Sequence, residues 1–146
     1  MSLPNWRALR RRNIPRFIRE MLPTHPELAN VVTWDDFTRM ANREGIAVRV
    51  IRGLPRKARL VRFGSHVVVQ VMRELNRADR TLWGMHELCH FWRDDPGVMC
   101  YHATDGDDES EDFANIFAWT VTSPARLHVP GLRPEDFNGS PDGGPI

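Results

Sequence analysis

His86-Glu87-Leu88-Cys89-His90 places two imidazoles four residues apart, with a carboxylate beside the first. On a helix of 3.6 residues per turn, positions 86 and 90 lie on one face and can grip a single ion. Glu87 sits next to that face. There it can reach a water activated by the ion without being a ligand, which is the placement a general base needs. This is the chemistry of metal-assisted hydrolysis, and a catalytic zinc needs a third protein ligand with one position left for water. The extended pattern that supplies a third histidine downstream is absent, because Pro96 stands at that place.

The third ligand must come from further along. Helical periodicity resumes over Glu109–Val121 through Phe113, Ile116, Phe117 and Val121, and a helix there can bring one carboxylate across. The candidates are Glu109, Glu111 and Asp112, with His102 in the loop-like stretch before them. Asp112 would point about 100° away from Glu111, so only one of the two can face an ion. His102 and Tyr101, the chain's only tyrosine, are better suited by loop placement to stabilising an oxyanion.

These residues need elements to position them. Trp6 to Met21 reads as a basic helix interrupted by Pro15 and closed by Pro23 and Pro26. Thr33-Trp34-Asp35-Asp36 opens a second helix, with Thr33 as its cap, two acids in its first turn and Gly45 as its stop. Its apolar stripe is Trp34, Phe37, Met40 and Ala41. Three Val/Ile/Leu-rich strands follow at Ile46–Ile51, Ala58–Phe63 and His66–Met72, the last two joined by the tight turn Phe63-Gly64-Ser65-His66. A helix from about Arg77 to Arg93 carries the histidines, and Leu82-Trp83-Gly84-Met85 is apolar enough to bury it. The aromatic residues recurring around the motif at helical spacing read as core.

The order helix, small sheet, helix, helix predicts an α+β fold: a small three-stranded, mainly antiparallel sheet packed with the H-E-x-x-H helix and flanking helices. Three segments are expected, namely a basic helical segment over 1–30, the catalytic domain over 31–129 and a flexible Pro/Gly-rich tail over 130–146. With 146 residues, 41% of them hydrophobic, the chain can bury one sizeable core, which argues against wholesale disorder. No apolar run can cross a membrane, and the Arg-rich start has no apolar stretch behind it, so neither a membrane partner nor a secretory signal is expected. Two cysteines eleven apart, Cys89 and Cys100, make no disulfide framework and favour a reducing, cytoplasmic location.

The net charge of +1 hides a split: residues 1–80 hold 17 of the 20 basic residues and residues 81–146 hold 12 of the 19 acids. Arg49, Arg52, Arg56, Lys57, Arg59 and Arg62 form a run with no acid, which could dock nucleic acid or an acidic substrate but reads first as a solvated sheet face. No helix-turn-helix fits the first thirty-two residues, so no direct nucleic-acid contact is expected.

The paired motifs resemble the ImmA/IrrE-type zinc peptidases, in which H-E-x-x-H is followed by an E-x-x-A-N-x-F-A helix closed by a proline. Glu111, Ala114, Asn115, Phe117, Ala118 and Pro124 stand at the matching places, and the resemblance spans roughly residues 33–127. It departs at Cys89, where that family usually has glycine, and at Trp119-Thr120-Val121-Thr122-Ser123. The resemblance implies a minimal gluzincin-like, zincin-type domain acting on protein, often a transcriptional repressor, with His86, His90 and Glu111 as zinc ligands and Glu87 as base. Periodicity agrees, since Glu111 shares a face with Asn115 and Ala118, where a small side chain lets two helices approach. Zinc suits two imidazoles and a carboxylate.

The expected function is therefore a zinc-dependent endopeptidase, with the strand at His66–Met72 as the edge that holds the substrate backbone. The alternative is a non-catalytic module on the same scaffold that recognises a repressor or antitoxin. Glu87 argues for catalysis, because a structural zinc site has no need of it. A third reading, an arginine-rich nucleic-acid binder with incidental histidines, is opposed by the acidic second half.

Overall fold

A computed structural model of the protein describes residues 6–93 and 108–124. Its elements are α1 (Trp6–Met21), a 3-10 turn (Pro26–Ala29), α2 (Trp34–Arg43), β1 (Ile46–Ile51), β2 (Ala58–Phe63), β3 (His66–Met72), α3 (Arg77–Arg93) and α4 (Asp108–Thr122). This is an α+β arrangement of four helices and one three-stranded sheet. Tyr101, His102 and the tail expected over 130–146 lie outside the described residues. Among the described residues, no helix is long and apolar enough to cross a membrane.

α1 runs through Pro15 without interruption, contrary to the break expected there. Proline removes one N–H from the helix ladder. Ile14 and Ile18 on either side are fully buried and hold both halves against the same core. Helix α2 begins as its sequence predicts: Thr33 Oγ1 accepts from the Asp36 N–H at 3.2 Å, and Asp36 Oδ2 accepts from the Thr33 N–H at 3.0 Å. Its end is set by Gly45 at φ 78°, a conformation that is costly for any side chain.

The sheet departs from expectation in one respect that bears on function. Its order is β1-β3-β2, with β3 parallel to β1 and antiparallel to β2. Half of the pairing is thus parallel, where a mainly antiparallel sheet was expected. β3 is the central strand and cannot be the edge that was assigned to it. Residues 52–65, which include β2 itself, form the crossover between the two parallel strands. The run Val67-Val68-Val69, paired on both sides, is the composition of an interior strand. Among the described residues, the edge strands are β1 and β2.

One sheet face, with Val69, Val71 and Leu60, packs into a core that also takes Phe37 and Met40 of α2, Met85 and Leu88 of α3, and Phe117 and Val121 of α4. α3 starts at the Asn76 cap, whose Oδ1 accepts from the Asp79 N–H at 2.8 Å. Its other end is tied down by a polar cluster. Trp92 Nε1 donates to Glu44 Oε2 at 2.7 Å, and fully buried His25 bonds the same oxygen through Nε2 at 2.6 Å. Arg43 donates to His25 Nδ1 at 2.9 Å and holds both carboxylate oxygens of Glu27. This lowers the Glu27 pKa below the ordinary carboxylate value, the Arg43 hydrogen bond outweighing the cost of burial.

At Gly84, two residues before His86, the Phe37 ring presses on the α3 backbone. A Cβ there would lie 2.8–3.0 Å from three ring atoms of Phe37. Phe37 is fully buried, so the ring has nowhere to retreat. Overpacking costs ~1–3 kcal/mol and exceeds the ~1 kcal/mol that alanine gains over glycine in a helix. Gly84→Ala is therefore expected to lower the urea midpoint of unfolding, although helix propensity alone would raise it.

Candidate metal centre

α3 is enclosed from Gly84 through His90, so the motif is buried along with the apolar residues around it. His86 is 3% exposed, Glu87 7% and His90 0%. Residues 83, 86, 87 and 90 follow one face at helical spacing. α4 packs against α3, with Ala114 and Ala118 fully buried and Phe113 and Phe117 in the core. Thr120 and Thr122, where the family-like pattern departs, return their hydroxyls to the carbonyls of Ile116 and Ala118, which satisfies them within the helix.

That packing brings Glu111 to the histidines. Its Oε2 lies 3.1 Å from His86 Nε2, and its Oε1 lies 2.8 Å from His90 Nε2. The two Nε2 atoms are 3.1 Å apart. Glu87 Oε2 stands 3.5 Å from His86 Nε2, beside the group. Among the described residues, His86, His90 and Glu111 offer one ligand atom each, all within 4.8 Å of one another. Glu109 is exposed, and Asp112 is not part of this group.

The donor set fits a zinc ion. Ligand atoms on a tetrahedral zinc lie about 3.3 Å apart, given bonds of about 2.0–2.1 Å, so an outward shift of a few tenths of an ångström suffices. Two Nε2 atoms facing each other cannot both carry protons, whereas both can offer lone pairs to one cation. In that tautomer the proton sits on Nδ1. His86 Nδ1 is buried with no hydrogen-bond partner among the described residues. Among the described residues, His86 thus has none of the usual outer partners that orient a metal-bound imidazole. The Trp83 ring, centred 5.1 Å away, packs against the imidazole in their place.

The two carboxylates are set apart by their surroundings. Burial raises the pKa of Glu87, and the repulsion of Glu111 adds to this. His86, His90 and Arg56 oppose the rise without cancelling it. Burial also works against the ionisation of Glu111, but in the metal-free site hydrogen bonds and positive charge from the imidazoles, when protonated, hold its pKa well below the usual carboxylate range. The surroundings thus push the two carboxylates in opposite directions, the division expected of a ligand and a base.

Two residues near the site carry no signal in the one-dimensional pattern. Arg56 is close enough for its charge to act on Glu87, and Lys57 Nζ lies 5.0 Å over the Trp83 ring. Both read as part of a solvated basic run. Only the packing of β2 against α3 reveals that the two residues just before β2 reach the motif. Trp83, read as core, is half-buried between Lys57 and His86. A scan of family models, a search of curated proteins and a search of solved structures each returned no match.

Proposed function

We propose that this chain is a zinc-dependent peptidase with His86, His90 and Glu111 as metal ligands and Glu87 as general base. The observation that carries this reading is the convergence of three ligand atoms from two helices, with a fourth, non-ligating carboxylate beside them. A zinc ion held there would polarise a carbonyl oxygen and acidify a water toward ~7.

The chain's own residues do the rest. Glu87 takes a proton from the water as its oxygen bonds to the carbonyl carbon, and passes it to the amine as the C–N bond breaks. Glu111, kept anionic, balances the charge of the site. Enclosure of α3 limits the water that competes for these groups. The resemblance in the paired motifs points to a protein substrate, a transcriptional repressor among them.

The test is hydrolysis of an unfolded protein such as casein by the zinc-loaded chain. New amino termini should appear, vanish on chelation and return when zinc is restored. Cleavage that survives complete metal removal would overturn the reading.

A further inference from the structure

His86 has to present Nε2 to the proposed centre, and a ring free to turn about its Cβ–Cγ bond does not hold that aim. A metal-bound imidazole is ordinarily fixed by the hydrogen bond that its other nitrogen donates. His86 Nδ1 is buried and has no such partner among the described residues. Packing is what remains to set the plane of this ring.

Helix geometry names the candidate. Side chains on a helix lean back over the preceding turn, so the His86 imidazole lies toward position 83. Trp83 stands there, its ring centroid 5.1 Å from that of His86 and its plane tilted by 48°. Among the described residues, the other ring against His86 is that of His90, its fellow ligand, at 4.7 Å. Trp83 is itself held. Lys57 Nζ stands 5.0 Å over the Trp83 ring. The Lys57 carbonyl accepts from the Met72 N–H at 2.8 Å, which ties that contact to the end of β3. A line of contacts therefore runs from the central strand through Lys57 and Trp83 to the imidazole.

We infer that Trp83 is a positioning residue for the proposed zinc centre: its indole, braced by Lys57, fixes the plane of the His86 imidazole in place of a hydrogen-bonded outer partner. This rests on the ligand assignment above and adds a residue to it. The indole acts through His86 and not on the metal. A smaller side chain at position 83 frees the imidazole to rotate, and the cost of ordering it again then falls on every metal-binding event.

The probes are Zn²⁺ and Co²⁺ alone, titrated into the full chain in competition with a chromophoric chelator. The visible bands of the Co²⁺ form give a second readout, because they follow ligand geometry and not stability. Trp83→Leu should bind zinc about tenfold more weakly, the low end of what loss of an outer partner costs, and should shift the cobalt bands. Trp83→Phe restores a ring against His86, so its zinc affinity should return to within about threefold of wild type, with wild-type cobalt bands. Val48 of β1 packs against the core away from the motif, so Val48→Ala should lower the melting temperature and leave both readouts unchanged.

Wild-type affinity and bands in Trp83→Leu, an equal loss in Trp83→Phe, or the same loss in Val48→Ala would each overturn the inference and leave the ligand set standing. One measurement needs no variant. In the zinc-loaded wild-type chain, the His86 Nδ1–H should show no scalar coupling across a hydrogen bond to a carbonyl or carboxylate. Such a coupling would identify an outer partner and overturn the inference. Failure of the wild-type chain to bind either ion would overturn the metal centre as well.

Discussion

Glu111→Ala is expected to weaken zinc binding by more than about 100-fold, since even the outer partners of metal ligands cost 10–100-fold when removed. The carboxylate is the element of the site furthest from the motif in sequence, and it contacts both imidazoles at 2.8 and 3.1 Å. Among the described residues, no other acid joins the two histidines in such a group. Glu109 is exposed, so Glu109→Ala should leave zinc affinity unchanged and serves as the control on the same helix. The fold should survive, because α4 is held by Phe113, Ala114, Phe117, Ala118 and Val121 rather than by Glu111. A competition titration against a chromophoric chelator reads the affinity. Wild-type affinity in Glu111→Ala would remove this residue from the centre.

Glu87→Gln is expected to lower turnover by about 10²–10⁴-fold, the range a positioned general base supplies, with zinc content unchanged. Glutamine keeps the size of the side chain and loses only the capacity to take the proton. The same substitution has a second, opposite effect on stability. Because burial raises the pKa of Glu87 in the folded state, its contribution favours folding below the unfolded-state pKa and is lost as pH rises through the folded value. The metal-free variant at neutral pH should therefore melt no lower than the metal-free wild type, and any advantage should disappear as the pH is brought below 4. Turnover equal to wild type would show that the base lies elsewhere. A melting temperature well below wild type at neutral pH would show that the charged form is the one the fold favours.

Much of the site can be read from residue order because α3 is a regular helix, and helical spacing alone fixes which of residues 83, 86, 87 and 90 share a face. The α2 boundaries are equally legible, since Thr33, Asp36 and Gly45 act through neighbours in the chain. Strand pairing is different. Ile46–Ile51 is β-branched and apolar whether it pairs parallel or antiparallel, and nothing local distinguishes a hairpin neighbour from a strand placed one position over. The valine run of β3 was the available sign of an interior strand, and placing β3 at the edge missed it. Contacts that cross between elements, such as Phe37 on Gly84, Lys57 on Trp83 and the sharing of Glu44 by His25 and Trp92, depend on docking angles that no spacing encodes. α1 shows the converse limit. Pro15 is a strong local breaker, yet burial of Ile14 and Ile18 overrides it.

Zinc stoichiometry of the purified chain and of His86→Ala/His90→Ala, measured side by side by elemental analysis, tests the centre most directly. Two ligands from α3 and one from α4 should hold one zinc per wild-type chain, and Glu111 alone should hold none in the double variant. One zinc per chain persisting in that variant would contradict the account.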